Sequence, residues 1–167
     1  MNSLISPSVS RWPITVLAIP TRSWSGSLPS LRPENGIIAG QTGAQRLIGY
    51  KIDVGQPDRR ARAVLEVGPD HANRIGALHG GIIAMLLDAA MGFTASLYFG
   101  EGEPEVPLVT VSMTTNFVSI AKIGSTVTAT GLVAGGGRSI AQVTGELVDD
   151  GGAVIATATG VFRRIKG

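Results

Sequence analysis

Cysteine is absent from the 167 residues of this chain. That excludes disulfides, thiolate metal sites and a cysteine nucleophile. Charge is also scarce, at 16% of residues, below the usual share for globular proteins. The net charge is only +2, although the pI is about 9.4. No long basic run and no stripe of interleaved aromatic and basic residues occurs, so no nucleic-acid partner is expected. No acid precedes Glu34, while Arg11, Arg22 and Arg32 lie in a stretch rich in Ser and Pro. That composition superficially fits a transit peptide. The apolar piece Pro13 to Pro20 is short and proline-bounded, a poor secretory core. Residues 1–42 are therefore read as an N-terminal arm, flexible or loosely docked, or an upstream-extended start. Nothing points outside the cell, and a cytoplasmic location is expected.

What is present is one apolar domain, 43–167. Its length can bury a real core. Ile82 to Phe99 carries a single charge, Asp88, and approaches the length of a membrane span. Asp88 would be costly in lipid, and Gly92, Thr94 and Ser96 dilute the run. The flanking segments also alternate like strands that need a helix to cover them. A buried core helix from about Gly80 to Phe99, stopped by Gly100, is the expectation, with no membrane partner.

Arg46 to Val54 and Ala61 to Val67 alternate as strands, joined by a turn with Gly55, Pro57 and Asp58. After the helix come four more strand-like segments: Leu108–Ser119, Thr126–Ala134, Arg138–Val148 and Ala153–Arg164. Gly135–Gly137 and Asp149–Gly152 mark hairpins between them. Strand, strand, helix and four strands make an α+β layout: an antiparallel sheet wrapped on one helix.

The chemistry is concentrated in residues 73–88. His79 or a neighbour would cap the helix, placing Gly80 and Gly81 in its first turn. Glycine lets a ligand carbonyl approach the backbone N–H groups closely, and the helix dipole adds positive potential there. A carboxylate in apolar surroundings, Asp88, is costly and seldom accidental. A helix rises about 1.5 Å per residue, so Gly80 and Asp88 stand about 12 Å apart along the axis. One Asp side chain cannot reach a carbonyl held at Gly80. Both serve one reaction only if Asp88 comes from a second copy of the chain, which a two-fold dimer supplies.

The run Asn73-x-x-Gly76-x-x-His79-Gly80-Gly81-x6-Asp88 resembles the PaaI-like group of hotdog-fold acyl-CoA thioesterases. The resemblance continues through Val109–Met113, Ala121–Gly124 and Ala156–Arg164, covering about residues 43–165. It implies a hotdog fold of about five to six strands around one long central helix. It further implies hydrolysis of acyl-CoA by a homo-oligomer, a dimer being obligatory for the site and a tetramer plausible. No cofactor is expected. By the same resemblance, Asp88 is the general base or nucleophile and the Gly80 N–H polarises the thioester carbonyl. Asn73 orients the thioester or water, His79 supports the loop and the sulfur side, and Thr110 positions the nucleophilic water.

Plainer readings stand beside these. Asp88 could be a structurally satisfied carboxylate, Gly80 a packing glycine, Asn73 a loop cap and Thr110 an ordinary strand residue. Gly81 is a candidate substrate contact. Arg138, in a hairpin turn, is a candidate for a coenzyme A phosphate, as are Arg163, Arg164 and Lys166. His71, His79 and Asp88 lack usual ligand spacing, so no metal site is expected. A hydroxyacyl-thioester dehydratase on the same fold, or a non-catalytic acyl-CoA binding module, are the alternatives.

Overall fold

The computed structural model describes residues 35–104 and 106–165. Residues 1–34, most of the arm, and Lys166 lie outside the described residues. Among the described residues, seven strands form one antiparallel sheet around one long helix: β1 (Ile37–Ala39), β2 (Lys51–Asp53), β3 (Arg62–Glu66), β4 (Leu108–Phe117), β5 (Thr126–Gly136), β6 (Ile140–Asp149) and β7 (Val154–Arg164). Their spatial order is β1-β2-β3-β5-β6-β7-β4. The α+β layout is as expected, with one strand more than the upper expectation. The extra strand is β1, which pairs with β2 through Ile38 and Ile52. Its three residues fall inside the stretch that composition alone assigns to the arm.

One segment departs from the expectation. Arg46 to Ile48 is not strand but the second half of a short helix, α1 (Gly43–Ile48). A capping box at its start outweighs the alternating pattern. The Gln45 N–H donates to Thr42 Oγ1, and Gln45 Oε1 accepts from the Thr42 N–H. Gly49, in the left-handed region at φ 84°, ends it. Gln45 is buried, and its Nε2 donates to the Ile38 carbonyl, tying α1 to β1.

The long helix, α2, runs Gly80–Phe99 and stops at Gly100, with the expected bounds. Leu86, Leu87, Ala90, Met91 and Ala95 are fully buried against the sheet. The sheet meets them with the inward alternation of β3 (Ala63, Leu65), β6 (Ala141, Val143, Leu147) and β7 (Ala156, Ala158, Phe162). The apolar run that matched a membrane span in length is thus the central element of a wrapped sheet.

Thr94 pins α2 to the start of β3. Its hydroxyl donates to the Ala90 carbonyl at 2.8 Å and accepts the buried Ala61 N–H at 3.0 Å. Gly131 faces this pin: a methyl there would stand 2.8 Å from the Ala90 oxygen and collide with the Thr94 hydroxyl. By contrast, the Thr115 hydroxyl on β4 is buried with no hydrogen-bond partner among the described residues. The same substitution should therefore have opposite effects at the two sites. Thr94→Val orphans the Ala61 N–H and should cost about 1–3 kcal/mol in urea unfolding. Thr115→Val removes an unsatisfied group and should be neutral or stabilising by up to about 1 kcal/mol.

Candidate active site

Three local features build the N-terminal end of α2. His79 is the N-cap, in extended backbone at φ −67°, ψ 134°. Its Nδ1 accepts the Gly81 N–H at 2.9 Å, which places the ring proton of the neutral imidazole on Nε2. A methyl at Gly81 would stand 3.0 Å from that Nδ1, so the second glycine makes room for the cap. The next two N–H groups, of Ile82 and Ile83, both donate to the His79 carbonyl. Gly80 is left. Its N–H has no partner among the described residues and stands at the positive end of a twenty-residue helix. Of the two glycines, Gly80 holds the open donor and Gly81 has its donor occupied.

The loop ahead of the helix is stapled to it. The His79 N–H donates to the His71 carbonyl at 2.9 Å, and Leu78 N–H to the Ala121 carbonyl at 2.9 Å. Asn73 organises the loop between. Its Oδ1 accepts the Ile75 and Ala77 N–H groups, and its own N–H donates to the Ala77 carbonyl. The side-chain oxygen is consumed by the turn, leaving the amide Nδ2 as the group that can meet a ligand. His71 Nδ1 likewise accepts a backbone N–H, from Gly68. Among the described residues no cluster of three or more His, Asp or Glu side chains could hold a metal ion.

Asp88 lies two turns further along α2 and is half-buried. Thr110 Oγ1 donates to Asp88 Oδ1 at 2.7 Å, a short charge-assisted bond. The partners are 22 residues apart, and a strand irregularity brings them together. The β4–β7 register shifts between Thr110 and Ser112, so Val111 has no counterpart. The extra residue keeps Thr110 on the helix-facing side, with Met113, Thr115 and Phe117. One oxygen of Asp88 is thereby fixed, and the other accepts no hydrogen bond among the described residues. Tyr50, buried just before β2, is the second neighbour of note. Burial pushes its phenol pKa up, the Thr42 hydroxyl pulls it down, and the charge on Asp88 adds an upward push.

Gly80 and Asp88 are about 12 Å apart along the axis and about 80° apart around it. Both look toward β4, where Thr110 meets Asp88 and the Phe117 ring meets Gly80. β4 is an outer strand of the sheet, and most of its residues are exposed. Val111 and Phe117 are more than half exposed, as are Val118 and Ile120 just beyond. Arg138 is exposed in the β5–β6 turn, beside the end of β7, where the Arg164 N–H donates to the Ser139 carbonyl. Arg163 and Arg164 are exposed there too. Sequence pattern missed the approach of Phe117 to Gly80, which long-range packing sets and no local signal announces.

The thioesterase superfamily pattern matches residues 75–156, which span the loop, α2 and β4 to the start of β7. Thioesterase superfamily member 2 of zebrafish is 30% identical over 64% of this chain and 75% of its own, with a TM-score of 0.54. The "Putative esterase PA0474" of Pseudomonas aeruginosa is 29% identical over 62% of this chain and 75% of its own. The PaaI protein from the phenylacetic acid degradation operon of E. coli shares the fold, with a TM-score of 0.65 over 75% of this chain and 86% of its own, at 23% identity. The wrapped sheet, the central helix with its open N-terminal glycine and these relatives together make the chain a member of the thioesterase superfamily, built on the hotdog fold of PaaI.

Proposed function

We propose that the chain hydrolyses acyl-CoA thioesters to free acid and coenzyme A, at a site shared by two copies of the chain. The observation that carries this reading is the division of labour in the first turn of α2. His79 occupies the Gly81 N–H and leaves the Gly80 N–H open. A thioester carbonyl placed there would find a preorganised donor and the helix dipole aimed at its oxygen. Asp88, too far along the same helix to serve that carbonyl, serves the one held by the other copy.

In the hydrolytic step, a water oxygen attacks the carbonyl carbon as its proton passes to Asp88. The oxyanion that forms is held by Gly80 of the other copy. Collapse breaks the carbon–sulfur bond, and the proton on Asp88 leaves with the coenzyme A thiol. In the alternative route Asp88 attacks directly and coenzyme A departs as the thiolate; water then opens the mixed anhydride, regenerating the Asp88 carboxylate, and its proton goes to the thiolate. Thr110 steadies the carboxylate in either route, and the Asn73 amide is a polar group of the loop that can orient carbonyl or water. The exposed arginines, Arg138 with Arg163 and Arg164, offer charge for the coenzyme A phosphates.

An exposed apolar edge such as β4 is an aggregation hazard unless covered. Two-fold pairing of β4 with its copy would cover it and set the two α2 helices side by side. A pair of such dimers would make the tetramer. The reading places the enzyme in the cytoplasm, where coenzyme A thioesters occur, without a cofactor. A kinetic screen over aryl- and alkyl-CoA thioesters, reading released thiol, tests it. Turnover of at least one thioester is expected. Tight binding without turnover would favour a binding module, and hydration of an enoyl thioester without hydrolysis would favour the dehydratase class.

A further inference from the structure

The helix-facing row of β4 ends at Phe117, which pairs with buried Ala156 of β7. Its ring lies against Gly80. A methyl on Gly80 would stand 3.3 Å from Cε1 and 3.5 Å from Cζ of that ring. Yet Phe117 is 58% exposed in the single chain, so the ring fills no core of its own subunit. One side touches the glycine whose N–H is open, and the rest faces outward along the exposed end of β4. A large flat side chain in that position narrows the approach to the donor from the strand side. Any carbonyl placed on the Gly80 N–H would bring its substituents within reach of the ring.

We propose that Phe117 is a specificity-determining residue, its ring forming the wall against which the acyl carbons next to the thioester carbonyl lie. This rests on the thioester-hydrolysis reading of the Gly80 site. The wall is apolar and flat. It suits slim acyl chains lying along the ring and resists bulk at the carbons nearest the carbonyl. Discrimination by one apolar wall is worth a factor of about 10 to 200.

The test compares wild type with Phe117→Ala and Phe117→Leu on butyryl-, hexanoyl-, isobutyryl- and benzoyl-CoA. kcat and KM are read separately, with Tm and oligomeric mass for each variant. Removing the ring should shift the ratio of kcat/KM for benzoyl-CoA over butyryl-CoA upward by about tenfold or more. Phe117→Leu, which keeps apolar volume without the flat ring, should fall between. An equal loss across the four substrates would overturn the proposal, since a merely structural ring would affect all alike. Loss of assembly in the Ala variant leaves Phe117→Leu to decide, by the same ratio. Absence of any hydrolysis by wild type would instead overturn the parent reading, and this proposal with it.

Discussion

Asp88→Asn should lower kcat for acyl-CoA hydrolysis by about 10²–10⁴-fold, the range for removing a positioned general base. The substitution is nearly isosteric. Its side-chain oxygen can still accept the 2.7 Å hydrogen bond from Thr110. The fold should therefore persist, with Tm unchanged or raised, because an ionised group on an apolar helix has been replaced by a neutral one. Binding of coenzyme A should also persist. Both proposed routes need an ionised carboxylate, so both fail in this variant, and Asp88→Ala should do no better. A kcat/KM equal to wild type across an acyl-CoA panel would remove Asp88 from the chemistry. It would then be a carboxylate held by Thr110 for structural reasons alone.

Gly80→Pro should be nearly as damaging and for a different reason. Residue 80 is the first position of α2, where proline is well tolerated because its missing N–H has no intrahelical acceptor. A residue before proline must be extended, and His79 already is, at φ −67° and ψ 134°. The substitution thus deletes the one first-turn donor that is open among the described residues and keeps the helix start. Loss of one oxyanion donor costs about 10²–10³ in kcat. Gly80→Ala is the control. It keeps the N–H but places a methyl 3.3 Å from the Phe117 ring, which must yield by a few tenths of an ångström. The Ala variant should retain more activity than the Pro variant. If Gly80→Pro folds and turns over as wild type does, the carbonyl is not held at residue 80.

Much of this frame is legible in the sequence, because it is written in local patterns. The apolar run with its glycine stop gives α2 to the residue, and strict alternation gives β3. The hairpin turns follow from Gly and Asp positions. Asp149 Oδ1, for example, accepts the Gly151 and Ala153 N–H groups. The failure at Arg46 to Ile48 is instructive. Alternation over nine residues looks like a strand, but Thr42, Gln45 and Gly49 carry start and stop signals for a helix. Those three residues outweigh the alternation, since each satisfies a named backbone group.

The site divides the same way. The roles of His79 and Gly81 within the first turn are local, and the spacing of Gly80 from Asp88 is helix geometry. The Thr110–Asp88 bond depends on an irregularity at Val111, and Phe117 reaches Gly80 across 37 positions of chain. Contacts of that kind are set by how the sheet curls around α2. Composition and periodicity do not encode them.

The central claim is that each site is completed by two copies of the chain. Mixing Asp88→Asn with Gly80→Pro subunits tests it most directly, with heterodimer formation followed by native mass spectrometry. Each variant alone should be nearly inactive. In a heterodimer, the intact Gly80 of one copy faces the intact Asp88 of the other, restoring one site of two. Random pairing makes half the population heterodimers, so activity should recover to about a quarter of wild type. Heterodimers that form in that proportion yet show no activity above the parent variants would contradict the account.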